Sequence, residues 1–329
     1  MILLAYCVLC IITIILTFFD SRQKLIYVFL WICLITWSIV SRNAVLQQDM
    51  LVYSEAMTYD WSFYKTFYTL REPVYWLSSK YLFELLHSNV LVFIILDTIF
   101  LSALVFAGYK YKIKPYFILL FILFFPNLMG FLNIYRQFLA TIALFICFFM
   151  LYHNLNGSRL IYLVSLFIHN VSIVFLPILF IKKTFFQFLF IVFSFISIAL
   201  MVLFSGSKSE VDTGEVSPFL FLAVICIIVT IFLFLNKLVL YRKNIDLYYI
   251  NFYCVLVSAF SSLFLAGAPA KRICMIALSF LLYSIYWFIE DNRKNILLFR
   301  IILVVFSLIP TFIFSSAFLM LLNKTKIGR

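Results

Sequence analysis

Charged residues are scarce in this chain. Only 12% of its 329 residues are Asp, Glu, Lys or Arg, whereas 66% are hydrophobic, and a typical soluble domain carries about twice that charged fraction. Glycine and proline are also sparse, with seven of each, and neither a Pro/Gly/Ser-rich linker nor an internal repeat divides the sequence. This composition is not that of an ordinary soluble protein. It predicts one integral membrane domain over residues 1–329.

Several common catalytic motifs are also missing. The sequence has no Gly-rich phosphate loop, no H-E-x-x-H motif and no serine nucleophile elbow. Cys7 and Cys10 form a C-x-x-C, but neither a second pair nor a nearby His accompanies them. All seven cysteines lie in or beside apolar runs, where Cys behaves as a small hydrophobe. We therefore expect no disulfide framework, no metal and no other cofactor.

Long apolar runs dominate what is present. The hydrocarbon core of a membrane offers no hydrogen-bond partner to an exposed peptide group, so a spanning segment must be a helix or part of a closed barrel. The apolar runs here are about twenty residues long and do not alternate with polar residues, which favours helices over a barrel. We predict an all-α, polytopic transmembrane bundle. The first run lacks a basic leader and a small-residue cleavage site, so we expect a retained span. The eleven hydrophobic segments are 2–19, 25–40, 90–109, 115–131, 134–152, 160–181, 185–204, 218–240, 247–265, 273–289 and 296–322.

The formal net charge of +12 is first a topology signal. In a soluble protein, such an excess of positive charge would suggest binding to nucleic acid. In membrane proteins, however, Lys and Arg are enriched in cytoplasmic loops, so we expect no nucleic-acid partner. The basic residues between 22 and 24, between 110 and 114, and at 159 lie inside if the chain starts outside and each run up to residue 152 crosses once.

The segment 160–181 then decides the later topology. If it crossed fully, the basic pairs at 182–183, 242–243 and 293–294 would lie outside. A re-entrant hairpin returns them to the cytoplasm, and the polar residues His169 and Asn170 within this segment fit such a hairpin better than a lipid-facing span. We predict the hairpin, with a full crossing as the alternative.

Two outer loops follow from this topology. Residues 41–89 form the longer one, whose aromatic density suits a membrane interface. Pro73 fits the first turn of a helix, and the apolar spacing over 74–87 predicts an amphipathic interfacial helix. The short outer loop 205–217 is acidic; its spacing is generic, so we favour a solvated loop over a divalent-cation site.

Positive residues on the predicted outer side are unexpected, because Lys and Arg are normally enriched in cytoplasmic loops. They therefore need another explanation. Arg136, at the mouth of the fifth run, is either a helix-end anchor or a ligand for phosphate oxygens. Lys271 and Arg272 follow the tight turn 266–270; they form an ordinary charged turn or a second phosphate contact. The outer cations are Arg42, Lys65, Arg71, Lys80, Arg136, Lys271, Arg272 and those of the C-terminal tail.

Three residues are candidates for proton transfer. His169 is either a hydrogen-bonded core residue or a general base, since imidazole accepts a proton near neutral pH. Asp49 and Glu72 are either solvated carboxylates or acceptors of a proton from a sugar hydroxyl. Tyr53 lies four residues after Asp49, which on a helix places both on one face.

In their order and spacing, these motifs resemble the EpsG-like, Wzy-type polymerases of bacterial exopolysaccharide, capsule and O-antigen. The resemblance extends by motif from about Asp49 to Pro177, and over the whole chain by hydropathy and size. The family often has a Gly near the carboxylate where this chain has Pro73-Val74. The motifs are Asp49-x-x-x-Tyr53, Arg71-Glu72-Pro73, Tyr135-Arg136-Gln137-x-x-Ala140 and Phe167-Ile168-His169-Asn170 with Ser172.

The resemblance implies a multi-pass enzyme of the bacterial inner (cytoplasmic) membrane. Such a polymerase transfers a growing glycan from its undecaprenyl diphosphate carrier to a new lipid-linked repeat unit at the outer face. It implies catalytic roles for His169, Asp49 and Glu72. Membrane lipid and a chain-length regulator of the same pathway are the further expected partners. The expected diphosphate contacts are Arg136, Arg272, Arg71 and Lys271, and the expected sugar contacts are Tyr53, Gln137 and Asn170.

Two other functional classes stay open from the sequence. A flippase or exporter of lipid-linked oligosaccharide would also need basic groups and a lipid-open cavity, although transporters tend to show paired halves. In a membrane acyltransferase acting on surface glycans, an intramembrane His would be central and the outer arginines would have less to do.

Overall fold

The fold is known from a computed structural model of the chain. It describes residues 1–19, 23–44, 46, 48–153, 155, 157–180, 192, 196, 199, 216–239, 245–291, 296–313 and 315–322. The described residues are helical with short connections and contain no strand. The predicted all-α, polytopic helical bundle is confirmed.

Among the described residues, the N-terminal half of the chain contains eleven helices. They are α1 (Ile2–Thr17), α2 (Lys24–Arg42), α3 (Asp49–Thr58), α4 (Trp61–Tyr64), α5 (Phe67–Leu70), α6 (Pro73–Leu86), α7 (Asn89–Lys110), α8 (Pro115–Leu123), α9 (Phe125–Leu132), α10 (Tyr135–Tyr152) and α11 (Ser158–Ile168). After them come a 3-10 helix, Asn170–Phe180, and the helices Pro218–Val239, Ile245–Phe264, Gly267–Asp291, Ile296–Ile313 and Ser315–Leu321.

Helix α1 shows why the fold needs a bilayer. Its exposed positions Leu4, Val8, Ile11 and Ile15 are 47–71% accessible and lie on one face at helical spacing. The opposite face, which includes Tyr6, is buried. A continuous apolar stripe of this kind is unfavourable in water but matches hydrocarbon.

Five helices of the described residues are long and apolar enough to cross a membrane: Lys24–Arg42, Asn89–Lys110, Leu247–Phe264, Gly267–Asp291 and Ile296–Ile313. A bent pair, α8 with α9, brings the number to six if it is one span. Other predicted runs are present as shorter apolar helices. The chain is therefore a multi-pass membrane protein.

The predicted run 115–131 is not one straight helix. It breaks at Phe124, where the backbone is extended, and the two parts differ in direction by 61°. Pro126 favours the break, because it has no N–H to continue the hydrogen bonds of α8 and its ring would clash with the carbonyl four residues earlier in a continuous helix. The Asn127 side chain donates to the Phe121 carbonyl at 2.7 Å, which satisfies a backbone acceptor near the end of α8.

The described contacts group into two compact units, Met1–Asn170 with Lys294–Arg329, and Val171–Arg293. In the first unit, α7 has 22 residues and is therefore about 33 Å long. Its last turn, with Tyr109, packs on Tyr27 at the start of α2. Its first residue, Asn89, donates to the Ser54 carbonyl in α3. The basic turn 110–114 and the segment 41–89 thus lie at opposite ends of this unit.

Segment 41–89 folds into α3 to α6. Pro73 is the first residue of α6, and His87, which follows the last helical residue, has a left-handed backbone conformation (φ 51°). Trp76 is 2% exposed and contacts the rings of Tyr53, Tyr64 and Tyr68. Many of the aromatic side chains of this segment therefore pack on one another. The interfacial position of α6 stays a prediction.

In the second unit, the helices Pro218–Val239, Ile245–Phe264 and Gly267–Asp291 pack against one another. The Tyr253 hydroxyl donates to the Val174 carbonyl, and the Phe175 ring stacks on Phe280 with centroids 5.5 Å apart. Most of the predicted run 185–204 and residues 205–215 of the predicted acidic loop lie outside the described residues. The hairpin at 160–181 stays a prediction.

Candidate functional site

A buried carboxylate lies at the start of α6. Glu72 directly precedes the first residue of this helix and is 1% exposed. A carboxylate is strongly disfavoured in such a place unless it is paired and hydrogen-bonded. The partners of Glu72 are therefore the main feature of the site.

Both carboxylate oxygens of Glu72 are engaged by residues distant in sequence. Oε1 lies 2.7 Å from Nδ1 of His169 and accepts the backbone N–H of Asn170 at 3.1 Å. Oε2 forms an ion pair with Nη1 of Arg136. The site thus joins the start of α6, the first turn of α10 and the residues that follow α11.

Aromatic rings enclose the Arg136 guanidinium. Its side chain is 8% exposed, and Nη2 donates to the Tyr68 hydroxyl at 3.1 Å. Guanidinium over an aromatic face is a favourable cation–π geometry. The distances from Cζ to the ring centroids are 4.9 Å for Trp76, 5.1 Å for Tyr53, 5.6 Å for Tyr68 and 6.0 Å for Tyr75.

A second guanidinium lies on the same tyrosine. Arg71 is half-buried, and its Cζ is 5.1 Å from the centroid of the Tyr68 ring. The Arg71 Nε atom is buried without a hydrogen-bond partner among the described residues. Tyr68 therefore contacts two arginines, while Glu72 supplies one carboxylate, so the local charge is positive.

Other residues predicted for the site lie on α3 and α10. Asp49 begins α3, and its backbone N–H donates to the Asn133 side chain at 3.0 Å. Tyr53, one turn later, is 5% exposed and faces Arg136. Gln137 follows Arg136 and is 2% exposed. The roles of these residues toward a sugar or a proton stay predictions.

The predicted phosphate contacts Lys271 and Arg272 belong to the second unit. Both are half-buried and lie near the start of the helix Gly267–Asp291. Their predicted meeting with Arg136 stays a prediction. Glu210, Asp212 and Glu215 lie outside the described residues.

Comparison with known proteins assigns no relative: no family model, no curated protein and no solved structure matches the chain. The residues of the site therefore provide the basis for a functional proposal.

Two of the outer cations have structural partners. Arg42 pairs with Asp97 through Nε at 2.8 Å, and both side chains are buried. Lys80 donates to the Met57 carbonyl at 3.3 Å and lies 3.5 Å from Glu84. These contacts explain the positions of Arg42 and Lys80 without a ligand.

Asp97 is a residue that the sequence analysis missed. It is fully buried in α7 and accepts hydrogen bonds from Arg42, Ser38 and Tyr135. The sequence feature that could have identified it is its position as the single acidic residue in the apolar run 90–109. Such a residue is costly in hydrocarbon unless it is paired.

No cluster of three or more His, Cys, Asp or Glu side chains within the described ranges is arranged to hold a metal ion. All seven cysteines have free thiols.

The surroundings of Glu72 fix its protonation state. Burial raises its pKa, but attraction and hydrogen bonding to His169, attraction to Arg136 and the Asn170 N–H together lower the pKa to about 2. Glu72 is therefore a carboxylate at neutral pH and accepts hydrogen bonds. It is a poor proton acceptor there, because a general base works best with a pKa near the operating pH.

This pKa predicts acid sensitivity. A carboxyl with a pKa lowered from 4.5 to about 2 in the folded state stabilises the fold fully above pH 4.5. The stabilisation is lost as the pH falls from 4.5 toward 2. We expect Glu72→Gln to unfold at a lower temperature than wild type at pH 7, and the difference to narrow as the pH is lowered to 3. Thermal unfolding in detergent measures this difference in unfolding temperature. A difference that does not change with pH would contradict the lowered pKa of Glu72.

Proposed function

We propose that the chain is a polysaccharide polymerase, an inverting glycosyltransferase that joins undecaprenyl-diphosphate-linked repeat units at the outer face of a bacterial inner membrane. The observation that carries this proposal is the Glu72 carboxylate, which holds His169 on one oxygen and Arg136 on the other. This arrangement combines a candidate base with a positive group for a phosphorylated leaving group.

The positive charge supports an anionic ligand. Arg136 and Arg71 both contact the Tyr68 ring, and Glu72 forms an ion pair with Arg136 only. Guanidinium groups bind phosphate oxygens in bidentate geometry. A diphosphate that approaches Arg71 would therefore also come near Arg136.

The orientation of His169 supports proton transfer. Because Nδ1 points at Glu72, the opposite ring nitrogen, Nε2, is the one that can accept a proton from a substrate. A carboxylate behind an imidazole fixes its orientation and stabilises the imidazolium that forms. Glu72 then orients the base, and His169 is the base itself.

The proposed reaction is one displacement at the anomeric carbon. The hydroxyl oxygen at the non-reducing end of the new unit attacks that carbon, and its proton passes to His169 Nε2. The bond between the carbon and the diphosphate oxygen breaks with inversion, and the released diphosphate takes the electron pair. Arg136 and Arg71 stabilise its negative charge, which is an electrostatic contribution to catalysis.

The location of the site fits outer-face chemistry. Glu72 and Arg136 lie at the end of the first unit that holds segment 41–89, and the basic turn 110–114 lies at the other end. Because basic loops favour the cytoplasm, the site end is assigned to the outer side.

Reconstitution tests the proposal. The purified full chain in nanodiscs is incubated with lipid-linked repeat units from its host, and the products are separated by gel electrophoresis and mass spectrometry. We expect a ladder spaced by one repeat unit, with one undecaprenyl diphosphate released for each bond formed.

The same material separates the alternatives. A flippase would move lipid-linked units across proteoliposomes without lengthening the glycan, and an acyltransferase would modify them only when an acyl donor is supplied. Either result without a ladder would overturn the polymerase proposal.

A further inference from the structure

A second buried ion pair lies next to the proposed site. The Asp97 carboxylate in α7 is fully buried and accepts hydrogen bonds from three residues of two other helices. Oδ2 accepts Ser38 Oγ at 2.6 Å and Arg42 Nε at 2.8 Å. Oδ1 accepts Arg42 Nη2 at 3.2 Å and the Tyr135 hydroxyl at 2.8 Å. Such a charge is held tightly, because its unpaired form would be very costly.

Tyr135 connects this pair to the proposed site. It is the first residue of α10, and Arg136 is the second. The Tyr135 hydroxyl, whose one proton is best placed for Asp97, also lies 3.3 Å from the Phe93 carbonyl of the same helix. Its ring contacts the Tyr75 ring edge-on at 6.1 Å, and Tyr75 is one of the rings around Arg136.

Helix geometry determines what this connection does. Consecutive helical residues point in directions about 100° apart, so a tether on Tyr135 fixes the rotation of the first turn and the direction of Arg136. The residue before α10, Ile134, provides no side-chain cap. The hydroxyl of Tyr135 is therefore a polar anchor for a helix start that lacks its own.

We infer that Asp97 and Tyr135 are positioning residues: Asp97 holds Tyr135, and Tyr135 sets where Arg136 meets Glu72, the carboxylate that also holds His169. This positioning fixes the geometry of the site in the resting protein. Its consequence for catalysis rests on the proposed function, but its structural part does not.

Ser38 offers a matched control. Tyr135→Phe and Ser38→Ala each remove one hydroxyl donor to the same carboxylate, and both hydroxyls are buried. Ser38 lies on α2 and binds the other carboxylate oxygen, Oδ2, so its removal leaves the bond from Tyr135 to Oδ1 in place. Both variants should lose a comparable amount of stability, whereas only Tyr135→Phe should disturb the surroundings of His169.

The acylation rate of His169 by diethyl pyrocarbonate reports on those surroundings without any assumption about function. The chain has three histidines, so His87→Asn and His153→Gln leave His169 as the reporter. Asn suits position 87, which has a positive φ. The full chain is purified in detergent, and modification is followed by mass spectrometry.

We expect Tyr135→Phe to raise the rate at His169 by about tenfold, the size expected for loss of a hydrogen bond to a charged group, and Ser38→Ala to leave it within about twofold of the parent. Equal increases in both variants, no increase in either, or an increase in Ser38→Ala alone would overturn the inference. If Tyr135→Phe is not monodisperse, Asp97→Glu, which keeps the charge for Arg42 but moves the carboxylate, is compared with Ser38→Ala by the same criterion.

Polymer formation is the second readout. We expect Tyr135→Phe to lower the turnover number with little change in the apparent KM, because positioning acts on the reacting geometry. If the acylation result is as expected but the parent protein forms no polymer, the proposed function fails and the positioning inference stands.

Discussion

Arg136→Ala should abolish polymer while single repeat units remain on the lipid carrier. Arg136 supplies the guanidinium closest to Glu72 and is enclosed by aromatic rings. Removal of one preorganised donor for a developing anion typically costs a factor of about 10² to 10³ in rate. With several bonds needed for each chain, this loss eliminates long products. Gel analysis of glycans and of lipid-linked units, at matched protein levels in the membrane, measures it.

Two further variants separate charge from geometry. Arg136→Lys keeps the charge but loses the bidentate fork, so we expect short and sparse polymer. Lys80→Met is the control, because Lys80 is also a buried outer cation against aromatic rings but is held by Met57 and Glu84. Normal polymer length from Arg136→Ala would contradict the diphosphate role, and loss of polymer from Lys80→Met would indicate a general effect of buried charge.

Arg272→Ala tests whether the second unit contributes to the same reaction. If Arg272 binds the diphosphate, as the sequence predicts, this variant should also accumulate single units. If its polymer is normal while that of Arg71→Ala is lost, the diphosphate is held by the pair of arginines that contact Tyr68.

Much of the fold could be predicted from the sequence because hydropathy acts locally. A helix forms the backbone hydrogen bonds within its own segment, which hydrocarbon requires. Long apolar runs therefore predict the positions of helices directly. Pro73 likewise determined the start of α6 through its fixed φ and missing N–H. The break at Phe124 had a local signal too, since Pro126 lies within an apolar run.

The site could be predicted only in part, because its contacts are long-range. Glu72, Arg136 and His169 were all candidates, yet the ion pair between Glu72 and Arg136 joins residues 64 apart, and the Glu72 contact with His169 joins residues 97 apart. No local pattern specifies such pairs. Arg42 was noted as an outer cation and Asp97, a lone acid in an apolar run, was missed; only the fold shows that the two residues pair.

His169→Asn should lower the transfer rate by a factor of about 10² to 10⁴, the usual contribution of a positioned general base. Asn places its amide nitrogen near the position of Nδ1, so it can still donate to Glu72, but it has no group at the position of Nε2. The ion pair with Arg136 should therefore survive while the proton acceptor is lost. Initial rates of glycan extension by the purified protein measure the effect.

The pH dependence distinguishes a base from a packing residue. A protonated imidazole cannot accept a proton, so the wild-type rate should fall toward acid pH, and the residual rate of His169→Asn should lack this acid limb. A hydrogen-bonded core histidine would give a different result: His169→Asn would retain most of the wild-type rate and its pH profile, because the bond to Glu72 is conserved. That result would exclude His169 as the base and assign the Glu72 contact to stability alone.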